Sequence, residues 1–174
     1  DVRENPDPRT FYGISKLRGE EHMKRLADKE SGNKNFYIIR CGNVYGYNSS
    51  MRFDAVINRF IFDANFSGRI FIDGDGRQYR AFIHVEKAAD CLGNLLEKNI
   101  KPGIYNLVDR NLTVLEIVNE LQQLYPEWET QYINQHLKLR AIEVQPDPNI
   151  NGLMKKSGQE FYDELKEFKQ KFTF

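Results

Sequence analysis

The sequence predicts an α/β fold built on a largely parallel sheet, and three observations predict it. Two short apolar runs, Phe36 to Ile39 and Ile104 to Val108, are bounded by turn residues, as strands buried on both faces of a parallel sheet are. Stretches with helical spacing lie between and after them, so strands alternate with helices. Thr113 with Glu116 three residues later forms a capping box, which marks one helix start from residue types alone. No internal repeat is visible, and residues 1–174 read as a single unit, enough for one domain with a sizeable core.

Taken in order, Asn5-Pro6-Asp7-Pro8 forms turns, and a helix is expected from about Thr10, its N-cap, to about Lys29, where Ser31-Gly32-Asn33 stops it. The strand at 36–39 opens into Cys41-Gly42-Asn43-Val44-Tyr45-Gly46, expected as a loop. Apolar residues at 53, 56, 57, 60, 61 and 64 spell a helix from Phe53 to Phe66, which Gly68 ends. Arg69 to Ile72 and Gln78 to Val85 read as strands around Asp73-Gly74-Asp75-Gly76, a turn whose glycines permit positive φ. A helix from about Glu86 to Lys98 leads to the second buried strand, and the helix begun at Thr113 ends before Pro126. The stretch up to Pro148 shows little regularity, after which Phe161, Leu165, Phe168 and Phe172 fall on one stripe of a docking helix.

Composition excludes several functions. Lys plus Arg total 25 and Asp plus Glu total 25, so no overall charge favours nucleic acid or an anionic membrane surface. No apolar stretch approaches the roughly 20 residues that span a bilayer, and nothing resembles a signal peptide. Cys41 and Cys91 show neither CxxC nor CxxH spacing, which argues against a disulfide framework or zinc and for a reduced, cytoplasmic setting. His22, His84 and His136 lack paired ligand spacing and the Asp73-Gly-Asp75-Gly turn lacks that of a calcium loop, so no metal site is expected. Neither GxSxG nor GxxxxGKS/T occurs.

Chemistry concentrates in Tyr12-Gly13-Ile14-Ser15-Lys16. Tyr12 and Lys16 stand at i and i+4 on one helical face, so the ammonium lies near the phenol and favours its ionised form. A phenol with a reference pKa of about 10 is a poor base near neutrality, and nearby positive charge corrects that. The alternative is a surface tyrosine beside a solvated lysine. Further along, strand alternation puts Gln78, Arg80, Phe82 and His84 on one face and Tyr79, Ala81, Ile83 and Val85 on the other, the core side. The first face offers an amide and a guanidinium suited to phosphate; the alternative is an edge strand with solvated polar residues.

Three motifs in order, Tyr12-Gly-Ile-Ser-Lys16 with Leu17 to Met23, Ile39 to Gly46, and Gly74-Asp75-Gly76-Arg77-Gln78-Tyr79-Arg80-Ala81-Phe82-Ile83-His84-Val85, resemble the extended short-chain dehydrogenase/reductases. More narrowly, most of residues 1 to about 125 resembles the NAD-dependent nucleotide-sugar epimerases and dehydratases. The resemblance implies an incomplete Rossmann-like parallel sheet, its C-terminal part, with a small mixed α/β substrate-binding region. It implies catalytic roles for Tyr12 and Lys16, both also holding an NAD or NADP cofactor, with Cys41 where the backbone passes the nicotinamide. For a nucleotide-sugar substrate it implies Asn43 near the pyrophosphate, Arg80 on the diphosphate with Gln78 on the same face, and Arg140 as a second nucleotide-binding arginine. Ala81 stands where the family usually has Asp.

The family's glycine-rich, pyrophosphate-receiving turn and its catalytic Ser or Thr lie upstream of the tyrosine, whereas eleven residues precede Tyr12 here and no GxGxxG or GxxGxxG occurs. The chain, which begins at Asp1, is therefore expected to be the C-terminal portion of such an enzyme and inactive alone, and the resemblance implies a homodimer in the parent. Its product is open between an epimer, a dehydrated ketosugar and a reduced sugar. The other reading is a non-catalytic binding or assembly module that kept the fold.

Overall fold

The structure, a computed structural model, describes residues 6–29, 36–154 and 159–172. Helix α1, Phe11–Lys29, starts as its sequence requires: Thr10 Oγ1 accepts the Gly13 N–H at 3.1 Å. The expected stop at Ser31-Gly32-Asn33 lies outside the described residues. Strand β1, Tyr37–Cys41, pairs in parallel with β5, Gly103–Leu107, and places Cys41 opposite Leu107. The stretch expected as a loop after β1 is instead a second strand, β2, Asn43–Tyr45, laid parallel on β4, Tyr79–His84. Gly42 makes that step possible, because a Cβ there would stand 3.0 Å from Ala81 and Phe82 backbone atoms.

Helix α2, Val56–Phe66, starts later than its apolar spacing indicates, because Arg52 to Ala55 form the turn that leads into it. The Asp73–Gly76 turn has Gly74 at φ 73° and Gly76 at φ 74°, as its glycines allow. It joins no hairpin: β3, Arg69–Asp73, pairs in parallel with β7, Glu129–Ile133, while β4 pairs with β2 and with antiparallel β6, Arg110–Thr113. Strands β6 and β7 fall where the sequence shows no clear strand pattern. Both are short, and β7 buries almost nothing.

Strand β4 is the middle of its three-stranded sheet, which corrects the edge-strand alternative. It is also the wall between two cores. Phe82 faces the larger core, formed with α2, β3, α4 (Val114–Leu124) and α6 (Phe161–Gln170). Ile83 faces the smaller one, with α3 (Val85–Glu97), β5 and Ile150 of the short helix α5, Pro148–Asn151. The face expected to be polar thus contributes a fully buried ring. Tyr37 and Ile39 pack against the smaller core, so alternation turns Ile38 and Arg40 to the opposite face, where α1 lies. Helices α1 and α3 therefore cover opposite faces of the β1–β5 pair, the layering of an α/β fold.

The capping box is present with both reciprocal bonds, and the C-terminal stripe docks as expected, with Leu165, Phe168 and Phe172 buried. Glu164, on the same helix, is also buried. Its carboxylate accepts from the Tyr45 hydroxyl and pairs with Lys87 at 2.7 Å and Arg110 at 3.1 Å, while both cations also reach Asp109 at 2.8 Å. Two cations and two anions thus close a neutral cluster between α6, α3 and the β5–β6 turn.

Candidate functional site

A cleft of about 680 Å³ opens between β2, the turn at 48–55, α2 and the start of β4. Its residues are held by short-range bonds that the local sequence supplies. The Asn43 amide donates to the Ala81 carbonyl at 3.0 Å, fixing β2 on β4. Asn58 is a buried polar residue on α2; its Oδ1 accepts the Gly46 N–H and its Nδ2 donates to the Arg52 carbonyl, both at 3.1 Å. Arg52 grips Asp54 through two parallel bonds of 2.9 and 2.5 Å. Gln78 is buried, with Nε2 on the Asp73 carbonyl at 3.3 Å and Oε1 without a partner among the described residues.

Arg80 is a cation of this cleft. Its guanidinium lines the cleft and donates to the carbonyls of Tyr79, at 2.8 Å, and Arg140. No carboxylate pairs with it among the described residues. Burial lowers its pKa, though an arginine keeps its charge. A cation whose donors rest on neutral oxygens in a cleft is an anion site in electrostatic terms.

The structure gathers Asn43, Gln78 and Arg80 in this cleft and leaves the others outside its lining. Tyr12 and Lys16 stand on the outward face of α1, Tyr12 two-thirds exposed, with the Lys16 ammonium 5.3 Å from the centre of its ring. Neither polar head has a hydrogen-bond partner among the described residues. The Arg52 guanidinium, on the cleft lining, has its pKa raised chiefly by its bond to Asp54, and Tyr12 adds a smaller contribution. Cys41 is exposed at the end of β1. Arg140 turns its guanidinium away, toward Asp7, whose carbonyl it meets at 3.4 Å, and serves Arg80 only through its backbone oxygen.

Arg52, Asp54 and Asn58 belong to the lining and were not singled out by sequence. Asn58 falls off the apolar stripe of α2 and reads as solvent-facing, and the Arg52–Asp54 spacing is that of any surface turn. Ala81, where the resembling family usually has Asp, is buried, and its backbone carbonyl accepts from Asn43. Among the described residues no cluster could hold a metal ion and no helix is long and apolar enough to cross a membrane.

Residues 1–107 match the NAD dependent epimerase/dehydratase family. Over 110 residues, 61% of this chain, the sequence is 34% identical to a dTDP-4-dehydro-6-deoxy-D-allose reductase of Streptomyces bikiniensis, and it covers 32% of that protein. Among solved structures, an NAD-dependent NDP-hexosamine 5,6-dehydratase of tunicamycin biosynthesis superposes with a TM-score of 0.81 at 22% identity, covering 98% of this chain and 56% of that one. A UDP-N-acetylglucosamine 4-epimerase from Methanobrevibacter ruminantium M1, in complex with UDP-N-acetylmuramic acid, gives the same TM-score at 21% identity and the same coverage. At these identities the likeness is one of fold, which is Rossmann-like. The chain spans about a third of the curated relative and just over half of each solved structure.

Proposed function

The chain belongs to the NAD dependent epimerase/dehydratase family, and on that premise we propose that it is the catalytic-tyrosine and substrate-binding portion of an enzyme that epimerises or dehydrates a nucleotide-activated sugar. The observation that bears most weight is Arg80, an unneutralised guanidinium in a cleft large enough for a nucleotide-sized ligand. A diphosphate would accept two parallel bonds from the Nε and Nη2 edge of its planar fork, since the two carbonyls are held by Nη1. Asn43 and Gln78 add amide groups on the same wall.

Tyr12 is the acid/base residue of this reading. In that role its hydroxyl exchanges a proton with a sugar hydroxyl, with the Lys16 ammonium 5.3 Å from the centre of its ring. The residues present fit one end of a dinucleotide: an open phenol and an open ammonium one turn apart suit a ribose, whereas no glycine-rich turn for a pyrophosphate occurs in the 174 residues. NAD, when bound, supplies the hydride acceptor. Cys41 would border it, and the pyrophosphate-binding half would lie upstream in the parent protein.

Two substitutions in the parent protein test the reading. Arg80→Lys is expected to weaken UDP binding measured by calorimetry, because an ammonium cannot reproduce the planar fork; equal affinity returns Arg80 to a packing role. Tyr12→Phe is expected to cost about 10² to 10⁴ in turnover with NAD affinity nearly unchanged. A variant within threefold of wild type removes Tyr12 from the chemistry and favours a non-catalytic module on the same fold.

A further inference from the structure

Helix α1 bears Tyr12 and Lys16, yet none of its residues is buried. Its inward stripe is Gly13, Leu17, Glu20, Lys24 and Ala27, the residues of the helix with intermediate exposure. Leu17 is the one large apolar side chain among them, so apolar burial does little to decide where the helix stands. What reaches from α1 to the sheet is an ion pair. Arg40 of β1 donates from Nε to Glu20 Oε1 at 2.9 Å and from Nη2 to Oε2 at 2.6 Å. The two side chains are 24% and 15% exposed, so solvent screens the pair only partly.

Two parallel bonds between planar groups fix direction as well as distance. Glu20 lies one turn beyond Lys16 and about 12 Å along the axis from Tyr12. Arg40 lies next to Cys41 and three residues before Asn43, on the strand that runs into the cleft. The pair therefore joins the helix that presents the phenol to the segment that forms the cleft wall.

We propose that Glu20 and Arg40 are positioning residues of the candidate active site. Their ion pair sets the placement of α1 against β1, and through it the position of the Tyr12 phenol. The inference rests on Tyr12 being the acid/base residue, and neither Glu20 nor Arg40 touches substrate or cofactor.

The test labels the purified protein with 3-fluorotyrosine and identifies the Tyr12 fluorine resonance by its loss in Tyr12→Phe. Glu20→Gln is expected to shift that resonance, as the ring changes its place relative to Lys16, and to speed amide exchange across 11–29 by about tenfold. Exchange across α4 is expected to stay as in wild type. The charge swap, Glu20→Arg with Arg40→Glu, restores the pair in reverse and is expected to recover both signals. A Tyr12 resonance unmoved by Glu20→Gln, or a swap that recovers neither signal, overturns the proposal. Failure of the underlying reading shows separately, as full turnover by Tyr12→Phe with the Glu20–Arg40 pair intact.

Discussion

His84 shows how much one position can hold together. It ends β4 and caps α3, with Nδ1 accepting the Glu86 N–H at 3.4 Å, and it stands edge-on to Tyr45 with ring centres 5.2 Å apart. Gly46 backs against it at φ 118°, where any Cβ would lie 2.8 Å from Nε2. Burial disfavours the imidazolium and lowers the His84 pKa below 6.5, outweighing the pull of Glu164 and Glu86. The folded chain thus binds fewer protons at this site than the unfolded chain. Its contribution is full above about pH 6.5 and is lost as pH falls toward the folded-state value. His84→Asn keeps a capping side chain and is expected to flatten the fall in melting temperature between about pH 7.5 and about pH 5.5. An unchanged slope would assign the acid sensitivity to other groups.

At the scale of the element, α6 was legible and its anchoring was not. Phe161, Leu165, Phe168 and Phe172 repeat at helical spacing and do dock. Glu164 sits beside that stripe and by pattern alone reads as solvent-facing. It is buried because the fold delivers Lys87 from α3 and Arg110 from β6 to its carboxylate. Burial alone would raise the Asp109 pKa, but the same two cations hold it below the usual carboxylate value. Glu164→Gln leaves Lys87 and Arg110 facing Asp109 alone, and removing one partner of a buried cluster typically costs about 3 to 5 kcal/mol. Chemical denaturation should show that loss; a change under about 1 kcal/mol would mean the cluster adds little to docking. The pairing of β3 with β7 was likewise illegible, since β7 exposes nearly all its side chains and has no alternation to read.

For the whole molecule, one exposed apolar surface lies along α1. Phe11, Tyr12, Ile14, Met23 and Leu26 of α1 are all exposed, and Gly19 has nothing within 4 Å of an added Cβ. Strand β1 has β5 as its one strand partner among the described residues, which leaves its other edge open. Chains with such surfaces associate or lose cooperativity. The 174 residues alone are therefore expected to self-associate in light scattering or to melt without a sharp transition. A monodisperse monomer with one cooperative transition would contradict this and show that the layer is complete as it stands.

The sequence by itself determined the α/β class, the starts of α1 and α4 and the docking stripe of α6, and it singled out Asn43, Gln78 and Arg80, which line one cleft. These are local: caps, turn glycines and apolar periods act over a few residues, and motifs preserve spacing. Tertiary structure alone decided that β4 is a central strand between two cores, that Asn58 and Glu164 are buried, and that Arg140 turns toward Asp7. It alone decided that Arg80 meets only neutral oxygens among the described residues. Each of these depends on what distant segments bring to a position, because whether a charge is neutralised or a polar group buried is a property of its neighbours in space.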